Sequence, residues 1–212
     1  MKEETKNRIL SVATILFARK GYDATSLRDI TTEAEVNLAA VNYHFRSKED
    51  LFCAVIERII APTSTRRLAL LEQLQKADRI GLEGVLDAFF RPIVEVGHLP
   101  DGTRAPFLPL LGRFFTERPD LIERVFRTHL FPVGQRYLAV LNKLLPHLDA
   151  VELGWRFHFM IGTLTHTLSA EQFLLGLTNG AADPTDVDAV VARMVAFSAG
   201  GLHASVPELT HE

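Results

Sequence analysis

The sequence predicts an all-α protein, and three observations support this fold class. Apolar residues recur at the spacing of a helix throughout the 212 residues. No segment alternates apolar and polar residues as a strand does, and no internal repeat is present. Glycine and proline fall between the periodic segments, where they end or begin helices. We expect an N-terminal three-helix domain followed by a larger helical domain, with about nine helices in total.

The first two helices are predicted by apolar spacing and by residues that cap helices. One apolar stripe in the first helix is formed by Ile9, Val12, Ala13, Leu16 and Phe17. Gly21 ends this helix. Thr25 or Ser26 caps the next one, and Asp29, three residues after Ser26, completes a capping-box pattern. The apolar face of the second helix is expected to be Leu27, Ile30 and Ala34.

A break at 35–37 precedes a third helix over 38–45, which can bury only Val41 and Phe45 on one side. This helix is too short to be stable alone, so the long apolar helix 47–60 must hold it in place. Two short helices joined by a three-residue turn, with polar and aromatic side chains pointing outward from the second, are typical of a helix-turn-helix DNA-binding unit. The alternative is a helical hairpin inside an ordinary core.

The outward residues of this unit have side chains suited to DNA. Those expected to bind phosphate are Thr25, Ser26, Tyr43, His44 and Lys48. Arg28 could bind a phosphate or a base. Asn42 is suited to the edge of adenine, and Leu38 and Ala39 to the methyl group of thymine. Asn37 either reads a base or caps the third helix.

Residues 5–60 resemble the DNA-binding domain of TetR-type one-component transcriptional regulators. The matching runs are ILSVATILFARKGYDATSLRDIT and LAAVNYHFRSKEDLFCAVI. The family usually has glycine in the turn where this chain has Glu35, and a non-glycine residue at positive φ costs roughly 1 kcal/mol. The resemblance implies a dimer that binds a palindromic operator in double-stranded DNA and is released by a small effector.

Charge and composition limit the remaining functions. Residues 1–60 hold nine Lys and Arg and nine Asp and Glu, so one DNA-binding domain should bind weakly and a dimer is expected to double its phosphate contacts. The start of the chain is not a signal peptide, and no run approaches the roughly 20 apolar residues of a membrane span. We therefore expect a cytoplasmic protein. Cys53, the only cysteine, excludes an internal disulfide and a cysteine zinc site.

Glycine, proline and capping residues divide the rest of the chain. The expected helices are 63–77, 82–96, one after Asp101-Gly102 that ends by Pro119, 120–145 with a kink near Phe131 caused by Pro132, a long helix opened by Asp149 and running to 177, and 183–199. The predicted domains are 1–47, which binds DNA, and 48–212, which binds the effector and dimerises. Helix 48–60 connects them.

The last two long helices are the expected dimer interface. Segment 151–177 has too many apolar residues for one intramolecular face: Trp155, Phe157, Phe159, Met160, Ile161, Leu164, Leu168, Phe173, Leu174 and Leu175. The final helix adds Val187, Val190, Val191, Met194, Val195 and Phe197. Two chains could form a four-helix bundle from these segments, as the resemblance also implies. The alternative is that both helices are buried within one chain.

The 14 phenylalanines suggest a hydrophobic or amphipathic effector, although aromatic residues at helical spacing usually form a core. VNLAAVNYHF, PFLPLLGRFF and ELGWRFHFMIGTL resemble the TetR branch that responds to long-chain fatty acids or their CoA esters. That resemblance implies an acyl tunnel lined by Phe107, Leu111, Phe115, Phe131, Phe159 and Thr163. The polar head of the ligand would meet Arg113, Arg156 or His166, each of which could instead be structural.

Other classes of function have less support. No motif combines a nucleophile with a base, so we expect no enzyme and no cofactor. His158 and His166, with Glu152 or Glu171, could make a metal-responsive regulator, but two helical turns separate these histidines by roughly 12 Å, too far for one ion. A non-enzymatic helical interaction protein is the remaining alternative.

Overall fold

The structure, a computed structural model, describes residues 2–77, 79–97, 105, 107, 110 and 119–206. All regular elements in these ranges are helical, which confirms the predicted fold class. The α-helices are α1 Lys2–Lys20, α2 Leu27–Glu33, α3 Leu38–Phe45, α4 Lys48–Gln75, α5 Leu82–Val96, α6 Pro119–Val125, α7 Phe131–Leu144, α8 Ala150–Ser169, α9 Glu171–Leu177 and α10 Val187–His203. A π-helical segment, Phe126–Leu130, joins α6 to α7.

Helices α1 to α3 pack on the first turns of α4. The predicted stripe of α1 is buried except for Val12, which is half-buried. Phe17 meets Tyr22 and Phe52 in an aromatic cluster with ring centroids 5.0 to 5.9 Å apart. Val41 and Phe45 bury one face of α3 against this cluster's core. Because a short helix held on one side keeps its other side in solvent, the packing leaves the opposite face of α3 outward.

The local signals around α2 are confirmed. Ser26 is the N-cap, its hydroxyl accepts the amide of Asp29, and the Asp29 carboxylate accepts the amide of Ser26. Glu35 has φ 51°, the left-handed conformation that the resemblance leads one to expect at a position usually occupied by glycine. The turn between α2 and α3 therefore carries backbone strain of roughly 1 kcal/mol.

The prediction of two helices separated at Pro62 is wrong, because α4 runs without a break for 28 residues. Pro62 is exposed, whereas Ile59, Ile60 and Thr63 beside it are buried. The hydrogen bond that proline removes therefore lies on the side of the helix that water can reach, and the buried side keeps the helix continuous. One continuous helix thus extends from the helix-turn-helix unit into the larger domain.

Boundaries in the second half differ in part from prediction. Where a kink was predicted near Phe131, the helix expected over 120–145 is instead divided by the π-helical segment Phe126–Leu130, and α7 begins at Phe131 with Pro132 in its first turn. The long helix predicted to reach 177 instead ends at Ser169, because Ala170 leaves helical geometry with φ −114°. The last helix starts after Asp186, which caps it, rather than at 183. The helix predicted after 101–102 lies outside the described residues, apart from 105, 107 and 110.

The apolar residues of α8 and α10 divide between two faces. Phe157, Met160, Leu164 and Leu168 of α8 point into the protomer. On α10, Val191 and Met194 are buried in the packing against α5, so their predicted place in the interface between chains is wrong. Trp155, Phe159 and Phe197 remain outside, with 56%, 61% and 71% of their surfaces exposed.

Candidate DNA-binding surface and effector cavity

One face of α3 presents an exposed set of polar and apolar side chains. Leu38 is 50% exposed and Tyr43 is 68% exposed, and Ala39 and Asn42 are also exposed. His44 is half-buried. These are the residues that the sequence predicted to face DNA. A hairpin within a core would have buried Tyr43, so the exposed face argues against that alternative.

Lys2 joins this surface from the start of α1. Its ammonium lies 3.3 Å from the hydroxyl of Tyr43 and 5.5 Å from the centroid of the Tyr43 ring. Sequence reasoning missed this residue, because 41 positions separate the pair and no periodic pattern links them. The contact places a positive charge beside the recognition helix, where phosphate would approach.

Lys48 begins α4 at the edge of the same surface. Its ammonium lies 4.1 Å from the centroid of the Tyr22 ring, which orients the long side chain. Ser47 caps the helix by accepting the amide of Asp50 at 3.0 Å. The half-buried Lys48 is therefore held at a helix N-terminus, where both its charge and the helix dipole favour an anion.

The predicted role of Thr25 in phosphate binding is wrong. This side chain is fully buried, and its hydroxyl donates to the carbonyl oxygens of Gly21 at 2.7 Å and Leu16 at 3.3 Å. The hydroxyl thus closes the turn after α1. Because both its donor and its position are used inside the protein, it cannot reach DNA.

Ser26 and Asn37 also act as helix caps. The Ser26 hydroxyl donates to the Asp29 carboxylate at 2.8 Å, and the Ser26 amide and hydroxyl together lower the pKa of Asp29. An ionised carboxylate at this helix start opposes a phosphate there. Asn37 accepts the amide of Ala40 at 2.8 Å, so its capping role is observed. Arg28, two residues after Ser26, is exposed.

A partly open cavity of about 440 Å³ lies in the larger domain, between α4, α5, the π-helical segment, α7 and α8. Its apolar lining includes Ile60, Phe89, Ile93, Phe126, Leu130, Phe131, Leu138, Phe157, Ile161, Leu164 and Leu168. Among the described residues, its polar lining consists of Thr63, Arg67, Gln135, His158 and Thr165. Both the volume and the composition suit a small ligand with a large apolar body.

The structure separates the predicted effector residues. Phe131 lines the cavity. Phe107 is half-buried against the hydrophobic core but is not part of the lining. Leu111, Arg113 and Phe115 lie outside the described residues.

Three predicted effector residues of α8, Phe159 and Thr163 of the tunnel and His166 for the polar head, do not line this cavity. Phe159 and Thr163 instead line an open groove between α8 and α10, and His166 is exposed. At about 100° per residue, these three positions are turned roughly 180 to 240° from Phe157, which faces the cavity. Periodicity had shown that α8 has two apolar sides, but not which side is enclosed.

Arg156 has the structural role that was the alternative to binding the head of an effector. It is buried, pairs with Glu152 at 2.7 Å and donates to the carbonyl oxygens of Gly201 at 2.8 Å and Ala204 at 2.7 Å. The guanidinium therefore satisfies the last carbonyl groups of α10 and fixes that helix to α8.

The histidines considered for metal binding point to different surroundings. His158 lines the cavity, whereas the His166 ring lies 6.2 Å from that of Phe173. Within the described ranges, no group of three or more His, Cys, Asp or Glu side chains could hold a metal ion. Within the same ranges, no helix has the length and apolar character needed to cross a membrane.

Arg67 is the cavity residue that sequence reasoning missed. It is 5% exposed, its Nε–H donates to the carbonyl oxygen of Phe89 at 2.6 Å, and the guanidinium carbon lies 4.4 Å from the Phe89 ring centroid. Burial lowers the pKa of Arg67 to about 10. A signal was present, because Ile60, Arg67 and Leu71 share one face of α4 and an arginine interrupts that apolar stripe.

A polar seam connects α4 to α6 and the π-helical segment. Arg124 Nη1 pairs with Asp50 Oδ1 at 2.6 Å, and Ser64 Oγ donates to the carbonyl oxygen of His129 at 3.3 Å. Between them, His129 Nε2 lies 3.9 Å from Glu57 Oε1. Asp50, Glu57 and Ser64 are spaced by seven residues and so share one side of α4. The pairing with Arg124 lowers the pKa of Asp50.

Two family models match this chain, one in the DNA-binding domain and one in the larger domain. Residues 9–55 match the family model of bacterial regulatory proteins of the tetR family, and residues 87–201 match that of the tetracyclin repressor-like C-terminal domain. An HTH-type transcriptional repressor of Mycobacterium tuberculosis is 35% identical over 155 residues, which cover 73% of each chain. The HTH-type transcriptional regulator AcrR of Shigella flexneri is 42% identical over 55 residues, 26% of each chain.

Solved structures share the fold at low sequence identity. The fatty acid degradation regulator FadR from Bacillus halodurans superposes with a TM-score of 0.67 at 16% identity, covering 94% of this chain and 96% of its own. The TetR family regulator PfmR from Thermus thermophilus gives a TM-score of 0.60 at 18% identity, covering 95% and 97%. With its helix-turn-helix unit, its helical second domain and these relatives, the chain belongs to the TetR family of transcriptional regulators.

Proposed function

We propose that this protein is a dimeric repressor that leaves its operator when a hydrophobic small molecule fills the cavity of the larger domain. The observation that carries the proposal is the joint presence of an exposed recognition face on α3 and an apolar cavity of about 440 Å³ on the same chain. Helix α4 reaches both. The repressor of M. tuberculosis named above supports repression rather than activation.

On the operator, α3 lies in the major groove and its exposed face reads the bases. Asn42 donates to and accepts from an adenine edge, while Leu38 and Ala39 contact thymine methyl groups. Tyr43 and Lys48 bind phosphates and set the register of the helix. Further phosphate contacts come from Lys2, Arg28 and His44, which surround this face.

Dimerisation uses the outer face of α8 and α10. Val151 and Trp155 are 71% and 56% exposed on α8, and they continue the apolar surface of Phe159 and Phe197. Four large apolar side chains on adjacent helices form the kind of contiguous patch that a soluble protomer rarely leaves uncovered. A second copy on this patch would form a four-helix bundle and present two recognition helices about 34 Å apart.

Small residues on this face would let the helices of the partner approach closely. Gly162, Gly200 and Gly201 are exposed, and a Cβ atom added at any of them would meet no atom within 4 Å. This open space is observed in a single protomer. In the dimer, we expect side chains of the partner to occupy it.

The effector is proposed to carry an acyl chain, as a fatty acid or its CoA ester. The lining supports this class because apolar side chains from five helical elements surround the cavity. The structural neighbour FadR is described as a fatty acid degradation regulator, which is consistent with the same ligand class. A long hydrocarbon chain would bury apolar surface at about 25 cal/mol per Å².

The ligand signal is proposed to pass through the π-helical segment and α4. Phe126 and Leu130 of this segment line the cavity, and His129 between them contacts α4 through Glu57 and Ser64. A ligand that moves this segment would therefore also move α4, whose first residues pack on the helix-turn-helix unit. A coupling of about 1–3 kcal/mol would change operator affinity about 5- to 150-fold.

The test starts from an operator selected out of random duplex DNA with the purified protein. Asn42→Ala should relax preference at one base pair in each half-site, because a bidentate contact carries about 1–3 kcal/mol of discrimination. Lys48→Ala should weaken binding to all DNA sequences alike. It should also reduce the slope of log affinity against log salt concentration by about one per lost phosphate contact. Lys76→Ala is the matched control, since Lys76 is exposed at the other end of α4.

Two results would reject parts of this proposal. Unchanged DNA binding in both Asn42→Ala and Lys48→Ala would remove the assignment of the recognition surface. Stable operator binding in the presence of fatty acids, acyl-CoA esters and a broad set of other apolar ligands would remove the assignment of the cavity as an effector site.

A further inference from the structure

We infer that Arg67 is the anchor for the head group of the effector, and that this head group is a free carboxylate on an apolar body. The inference rests on the proposed function of the cavity and names the chemistry of the ligand that enters it. It selects the acid over its ester or thioester, because only in the acid does the carbonyl end of the acyl chain carry the negative charge that pairs with a guanidinium.

The guanidinium of Arg67 is buried without a counter-charge among the described residues. No carboxylate forms an ion pair with it there, and its Nη2 atom is buried with no hydrogen-bond partner. Arginine is almost never fully buried unless it is paired, because removing the charge from water is unfavourable. The site is therefore incomplete as it stands, and an anion of suitable shape would complete it.

The lining of the cavity isolates this charge. Of the described residues that line it, Arg67 is the only one that is Asp, Glu, Lys or Arg. The other polar groups there are neutral amides and hydroxyls, together with the imidazole of His158. A ligand with a carboxylate at one end and a hydrocarbon body would match one cation in an otherwise apolar space.

The orientation of Arg67 leaves its buried Nη2 atom for the ligand. The Nε–H is used by the carbonyl oxygen of Phe89, and the face of the guanidinium is stacked on the Phe89 ring. Tyr137 holds the backbone of the same residue through a hydrogen bond to its carbonyl oxygen at 2.9 Å. With the plane fixed in this way, the two Nη groups form the edge that binds a carboxylate through two parallel hydrogen bonds.

The position of Arg67 along α4 gives this pairing a route to DNA. Arg67 lies 19 residues after Lys48 on one continuous helix, a distance of roughly 28 Å at 1.5 Å per residue. Ser64, one turn before Arg67, contacts the π-helical segment that also lines the cavity. A carboxylate bound at Arg67 therefore acts directly on the element that carries Lys48.

The experiment compares three probes of equal chain length: hexadecanoate, methyl hexadecanoate and hexadecan-1-ol. Octanoate and its methyl ester repeat the comparison with a shorter chain. Binding to the full-length dimer is measured by isothermal titration calorimetry, with native mass spectrometry for stoichiometry. The wild type should prefer the acid over the ester by about 10- to 100-fold, the range expected for hydrogen bonds to charged groups.

Substitutions at neighbouring arginines separate the anchor from general charge. Arg67→Met removes the guanidinium and should abolish the preference for the acid while the ester binds as before. Arg66→Met is the matched control, because Arg66 is half-exposed and pairs with Glu95 outside the cavity. Arg67→Lys keeps a charge but loses the paired donors, so it should show an intermediate preference and serves if the methionine variant fails to fold.

The outcomes distinguish the two levels of inference. Equal affinity of acid, ester and alcohol for the wild type, or an unchanged preference in both Arg67 variants, would overturn the role of Arg67 while the apolar effector site stands. Failure of all five probes to bind would overturn both the anchor and the proposal that a free fatty acid is the effector. The inference would be supported if the preference for the acid disappears in Arg67→Met and is retained in Arg66→Met.

Discussion

Phe159→Ala tests the proposed dimer face most directly. Phe159 is 61% exposed on the protomer, next to Trp155 and Phe197. A phenylalanine can bury about 200 Å², so about 120 Å² remains to be covered by a partner. At about 25 cal/mol per Å², this area contributes about 3 kcal/mol. A two-fold interface contains the residue twice, so the variant should weaken the dimer by about 6 kcal/mol.

The predicted effect is large enough to measure by sedimentation equilibrium. A change of about 6 kcal/mol corresponds to about a ten-thousand-fold rise in the dimer dissociation constant. Phe131→Ala is the matched control, because Phe131 is also an exposed phenylalanine, at 48%, but lies at the cavity. Circular dichroism should show that both variants keep their helix content. A Phe159→Ala protein that remains as dimeric as Phe131→Ala would refute the assignment of this face.

Three further substitutions test the coupling, the core and the strained turn. Arg124→Ala breaks the contact with Asp50 and should reduce the effect of ligand on operator affinity; an unchanged ligand effect would rule out this seam as a route. The same contact lowers the pKa of Asp50, so the stabilisation is present at neutral pH and lost on acidification; urea unfolding of Arg124→Ala should lose this component of the pH dependence. Tyr137→Phe removes a buried hydrogen bond to the carbonyl oxygen of Arg67 and should lower the free energy of unfolding by about 1 kcal/mol. An unchanged free energy of unfolding would contradict a stabilising role for this bond. Glu35→Gly relieves the positive φ and should stabilise the protein by up to about 1 kcal/mol, and a destabilised variant would show that the turn is not strained.

Much of the fold was predictable because its signals are local. Helical periodicity and side-chain caps depend on residues within a few positions of one another, so Ser26, Ser47 and Asp149 were recognised as helix starts, and the structure confirms their caps. The exposed face of α3 followed from the same reasoning, since a helix with only two core residues must leave the others outward.

The local signals failed where the environment of a residue decides the outcome. Pro62 was expected to end a helix, but its exposed position let α4 continue. Thr25 has the chemistry to bind phosphate, yet it is buried and closes a turn. In both cases, the tertiary surroundings of the residue decided its role, and these surroundings cannot be derived from its chemical type.

By itself, the sequence determined the all-α class, the helix-turn-helix unit and its outward residues, because spacing along one chain specifies which side of a helix is apolar. The tertiary structure alone decided which apolar side of α8 lines the cavity and which remains exposed. It also decided that Arg67, rather than Arg156, lacks a counter-charge in the described structure. The physical reason is that rotation of a helix against its neighbours, and the pairing of a buried charge, depend on contacts between residues far apart in sequence.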